Sequence, residues 1–138
     1  MRRAIYFLIL IFTINLVSLY YRWHLIYPWS DQILHFSGGF FVAMLLSIYL
    51  KDHLLDNSKI KNTLIILGAV SFIGATWEFT EYIANAILSP LIYNWLSVKT
   101  YFMGDLNDTV NDLLMDILGA GLFSFILHSL WSRKAHKT

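Results

Sequence analysis

The sequence predicts an all-α fold, an integral membrane bundle of four transmembrane helices with both termini cytoplasmic. Three observations carry that prediction. Of the 138 residues, 57% are hydrophobic and 17% aromatic, and mean hydropathy is +0.57, too apolar for a soluble domain of this length. Apolar runs long enough to cross a bilayer recur four times. The basic residues, finally, are distributed very unevenly among the connections.

The first span runs from about Ala4 to Tyr20. Arg2 and Arg3 precede it as they would a signal peptide, but no small-x-small cleavage site follows, so it reads as a retained helix. The second span covers about Gln32 to Leu50, the third about Asn62 to Ile87 and the fourth about Val110 to Trp131. Residues 88–103 hold Pro90, Tyr93, Trp95, Tyr101 and Phe102 with one charge, the composition of an interfacial loop. All of this reads as a single transmembrane domain, 1–138. With the termini inside, the inner side holds eight basic residues (Arg2, Arg3, Lys51, Lys59, Lys61, Arg133, Lys134, Lys137) and the outer side two, Arg22 and Lys99. Tyr20, Tyr21, Trp23, Tyr27 and Trp29 form an outer aromatic belt, and Trp131 an inner anchor. A bacterial or archaeal cytoplasmic membrane is the expected location. A net charge of +1 gives no case for nucleic acid, and the absence of cysteine excludes disulfides and Cys-based chemistry.

The polar groups inside the spans point to a site. Asp108, Asp112 and Asp116 are four residues apart and fall within about 80° of one helix face. Asp31 and His35 share a face at the outer end of the second span. Glu78 and Glu81 sit three apart near the outer end of the third, within about 60° of each other. Carboxylates at bilayer depth are costly and usually functional. Asp105 and Asp108 have an equally good reading as the solvated cap of a helix start. Gly39, Gly74 and Gly119 each lie one turn deeper than His35, Glu78 and Asp116. Such a glycine layer would let the helices close beneath an outward-facing pocket.

No Lys or Arg lies at that depth, so these acids cannot all be charged without a counter-charge. Oxygen-rich ligands with one imidazole suit Mg²⁺, Mn²⁺, Ca²⁺ or Zn²⁺. The candidate metal ligands are Asp31, His35, Glu78, Glu81, Asp108, Asp112 and Asp116, and the candidate catalytic residues are His35, Glu78 and Asp112. A proton-sharing cluster without metal is the rival. His24, His53 and His136 read as solvated, His128 as a snorkelling side chain at the inner interface, and Asn15 as an interhelical hydrogen-bonding group.

Asp31-x-x-x-His35-Phe36-x-Gly38-Gly39, Trp77-Glu78-x-x-Glu81 and Gly104-Asp105-x-x-Asp108-Thr109-x-x-Asp112 with Gly119 follow one another in order. Together they resemble the YjdF-like family of bacterial inner-membrane proteins and, more distantly, the VanZ-like family linked to glycopeptide-antibiotic resistance. The resemblance covers about residues 31–121 and implies Asp31, His35, Glu78, Glu81, Asp105, Asp108 and Asp112 as family-motif positions. Gln32 stands where VanZ-like chains often have Lys. Asp112 matches their late Asp, and Asp116 stands where they have Asn. Neither family implies a defined reaction.

The Asn107-Asp108-x-x-Asn111-Asp112-x-x-x-Asp116 run is only weakly similar to the diphosphate-binding motif of intramembrane prenyltransferases, which carry a second such motif. Signatures of lipid phosphatases, head-group transferases and CAAX-type proteases are missing. Three functions stay open. The first is a metal-dependent enzyme acting on a lipid or lipid-linked envelope substrate. The second is an ion, proton or solute transporter subunit, which would need an oligomer because four helices enclose little. The third is a non-catalytic binding or scaffold protein whose polar cluster fixes packing.

Overall fold

The computed structural model describes residues 1–27, 29–54 and 58–135. His136 and Lys137 lie outside the described residues, as do the side chains of His24, Trp131, Arg133 and Lys134. Five helices follow in order: α1 (Arg2–Tyr21), the single turn α2 (Trp23–Ile26), α3 (Trp29–Tyr49), α4 (Lys59–Leu96) and α5 (Leu106–Ala135). Four of them, α1, α3, α4 and α5, are long and apolar enough to cross a membrane.

The outside of the bundle is greasy and much of its inside is polar. Phe72, Phe125 and Ile60 are 75%, 73% and 77% exposed, whereas Ser18, His35, Asn62, Glu78, Asp112, Asp116 and Ser124 are buried. A soluble protein would be organised the other way round. Here the solvent of the outer face is hydrocarbon, so apolar side chains gain nothing by hiding, and polar ones must find partners within.

α3 is the centre of the bundle. It packs closely on α5 and also meets α1 and α4, while α4 also packs on α5. The buried positions of α4 are Asn62, Ile66, Val70, Gly74 and Glu78, one every four residues, and His35, Gly39 and Ala43 repeat the pattern on α3. On α5 the buried stripe is Asp112, Asp116, Ala120 and Ser124. A four-residue ridge on each helix stacks like residues in layers. His35, Glu78, Asp112 and Asp116 make one polar layer. Below the glycines, Ala43, Ile66, Val70 and Ala120 make the apolar core. Beyond it lie the buried Asn62 and Ser124.

α4 corrects the expected 88–103 loop. The helix continues through Pro90 to Leu96. Pro90 has no N–H to give Ala86 and its ring crowds that carbonyl, yet the helix runs on to Leu96. Ser97, at φ 54, ends α4, its N–H donating to the Tyr93 carbonyl at 2.9 Å. The connection to α5 is thereby shortened to residues 97–105. It is pinned to α4 by the Ser89 hydroxyl, which donates to the Thr100 carbonyl at 2.9 Å. The Phe102 N–H adds a bond to Asn85 Oδ1 at 3.3 Å.

Candidate functional site: an acidic cluster around His35

His35 stands at the meeting point of three helices. Its Nε2 lies 3.9 Å from Glu78 Oε1 on α4 and 4.0 Å from Asp112 Oδ2 on α5. Its Nδ1 lies 3.6 Å from Asp116 Oδ2, one turn further along α5. The two faces of the ring thus meet different carboxylates. All four residues are buried, Asp112 to 2% exposure.

The glycines explain how these side chains come so close. A Cβ at Gly39 would land on the Asp116 backbone carbonyl, and one at Gly119 on the Phe36 carbonyl. α3 and α5 therefore touch backbone to backbone. A Cβ at Gly74 would stand 2.5 Å from Asp116 Oδ2. The carboxylate of Asp116 occupies the space that any larger residue on α4 would fill.

Among the described residues, two groups of three could hold a metal ion: Asp31, His35 and Asp112, and His35, Glu78 and Glu81. Within each group one ligand atom per residue lies within 4.8 Å of the others, and both groups contain His35. Glu78 Oε1 and Asp112 Oδ1 are buried without a hydrogen-bond partner. A buried carboxylate oxygen left unpaired is costly, and a cation in the first group would meet Asp112, one in the second Glu78. Glu81 is held differently, since Trp77 Nε1–H donates to its Oε1 at 2.8 Å.

The remaining sequence candidates fall elsewhere. Asp116 lies outside both groups, on the Nδ1 side of the ring. Asp105 caps α5: its Oδ1 accepts the N–H groups of Asn107 and Asp108 at 2.9 and 3.0 Å. Asp108 packs on Gly104 and, with Asp31 and Asp105, lines an outer cavity of about 310 Å³ beneath Tyr101, Phe102 and Met103. His128 does not simply snorkel. Its Nε2 is 2.9 Å from Thr63 Oγ1, joining α4 to α5 at the opposite end of the bundle. Sequence reading missed this inner pair, although Asn62 and Ser124 continue the same four-residue stripes. Asn15 borders both the outer cavity and a second one of about 160 Å³, which reaches His35 and Asp116 from the side of α1.

The chemistry open to this arrangement is cation binding by carboxylates and one imidazole, within helices long and apolar enough to cross a membrane and next to a cavity that Asp31 lines. No curated protein and no solved structure matches the chain. The model of a family described as a predicted membrane protein, DUF2238, matches residues 1–134. With its four apolar spans and a match over nearly its whole length, the chain belongs to this DUF2238 family of membrane proteins.

Proposed function

We propose that the cluster binds a divalent cation and that the loaded site acts on the polar end of a lipid or lipid-linked envelope substrate. The observation that carries this reading is a pair of buried oxygens without a hydrogen-bond partner, Glu78 Oε1 and Asp112 Oδ1, on two carboxylates that both approach His35 Nε2. Either Asp31, His35 and Asp112 or His35, Glu78 and Glu81 would hold the ion, with His35 contributing Nε2. Asp116, at Nδ1, would fix the ring orientation, as carboxylates do behind metal-bound histidines. The mixed oxygen and imidazole set suits Mn²⁺ or Zn²⁺ better than an all-oxygen site would. A cation held there supplies Lewis acidity toward a phosphate or carbonyl, or toward water.

A substrate head group would reach the cluster through the outer cavity that Asp31 lines. The apolar layer of Ala43, Ile66, Val70 and Ala120 separates the cluster from the inner polar residues, which favours a site served from one side over a path through the bundle. The bias of basic residues favours both termini on the cytoplasmic side of an inner membrane. The motif order resembles the YjdF-like family and, distantly, the VanZ-like family.

Elemental analysis of the purified protein tests the reading. The wild type should carry a divalent metal in fixed stoichiometry, and Glu78→Ala or Asp112→Ala, according to the group that binds, should lose it while still inserting and folding. Metal-free wild type after growth and purification with added Mn²⁺ and Zn²⁺ refutes it.

A further inference from the structure

The 160 Å³ cavity is a crevice between α1 and α4. α1 packs on α3, and among the described residues its approach to α4 is marked by Phe12, whose ring meets Trp77 edge-on at 6.0 Å. Leu8, Ile11, Val42, Val70 and Ile73 line the walls, and His35 and Asp116 close the end. Every wall belongs to a membrane-spanning helix, so the medium beside the crevice is hydrocarbon. Water there would have apolar neighbours over most of its surface.

We propose that this crevice takes one acyl chain of a bilayer phospholipid, which enters sideways between α1 and α4 and stops against Asp116. It deepens the function proposed above, on which it rests for the fate of the head group. Two features support an acyl chain. The walls are aliphatic and aromatic, and a flexible chain fills an irregular space that a rigid helix cannot. Asn15 also borders both this crevice and the outer cavity, so a molecule passing Asn15 could place its chain in the first and its polar end in the second. Gly38 lies on the crevice wall with nothing nearer its virtual Cβ than Asp116 Oδ1 at 3.9 Å. The crevice can therefore be filled from Gly38 without moving the helices, which Gly39 and Gly74 do not permit.

The test uses the whole protein in phosphatidylglycerol vesicles containing phosphatidylglycerol with a photoactivatable diazirine on one acyl chain. Val70 is only 2% exposed and Leu34 9%, whereas Phe72 is 75% exposed. Bulk lipid labels Phe72, and only a chain inside the crevice reaches Val70. Peptide mass spectrometry should find adducts on Val70 and Leu34 as well as on Phe72. Gly38→Leu should lower the Val70 adducts several-fold and leave Phe72 adducts unchanged. Ile73→Trp, at the partly exposed rim, provides a second plug should Gly38→Leu fail to fold. Bare Val70 in the wild type, as when a helix of a second copy fills the crevice, overturns the proposal. Equal Val70 labelling in the wild type and a folded plugged variant overturns it too. Glu78→Ala and Asp112→Ala, which between them remove either cation group, should both retain Val70 labelling, so a failure of the metal reading is seen separately.

Discussion

Gly39 and Gly119 face carbonyl oxygens of the opposing helix at distances that leave no room for a methyl group. Gly39→Ala or Gly119→Ala should each destabilise the bundle by at least about 1–3 kcal/mol, the usual cost of overpacking. Gly68→Ala and Gly121→Ala meet open space and should not. Thermal unfolding in detergent, scored for all four variants, checks the contrast. Asp116 gives a different prediction at the same scale. Asp116→Asn keeps the shape that fills the space beside Gly74 but loses the charge facing His35 Nδ1. Metal affinity should fall about 10–100-fold with little change in stability, the usual effect of removing an outer-sphere partner. A titration with Mn²⁺ or Zn²⁺ that matches wild type would remove Asp116 from this role.

At the scale of elements, the end of α4 is a strained point, as is the end of α1, where Arg22 sits at φ 55. Ser97 adopts a left-handed conformation at φ 54, which glycine adopts without the cost that a Cβ brings. Ser97→Gly should therefore raise stability by up to about 1 kcal/mol, read as a higher unfolding midpoint; a lower midpoint would mean that the hydroxyl has a role of its own. The same helix marks where sequence reading stopped. The positions of Asp31, His35, Glu78, Glu81 and Asp112 on shared faces followed from spacings of three and four, because a helix turns those spacings into neighbours. The glycines one turn below His35, Glu78 and Asp116 were legible for the same reason. Pro90 and the aromatic residues after Ile87 looked like the end of a helix, yet the helix goes on to Leu96, and Asn85 and Ser89 tie the following connection back to it. Which imidazole nitrogen each carboxylate faces was not legible either. Spacing fixes a side chain's direction around its own helix, while the rotation of the ring depends on neighbours from two other helices.

The whole molecule belongs to a membrane, and its charge bias predicts a direction that can be tested. The chain has no cysteine, so single cysteines can report the topology. Cysteine at Lys99 should react with a membrane-impermeant maleimide on intact spheroplasts, and cysteine at Lys51 only after lysis; the reverse pattern would invert the orientation. α4, at 38 residues, is about 57 Å long by helical rise, well beyond the roughly 30 Å of hydrocarbon, so it must tilt, protrude or both. The contact of α3 with α5 has a further consequence. Bare backbone against bare backbone has no rotamers to change, so those two helices act as a fixed jaw. α4 meets them through longer groups, including Leu113 beside Gly74, and those can re-settle. An ion bound as proposed would therefore have its radius accommodated by α4 as the moving jaw, carrying Glu78 and Glu81 toward or away from an anvil that stays still.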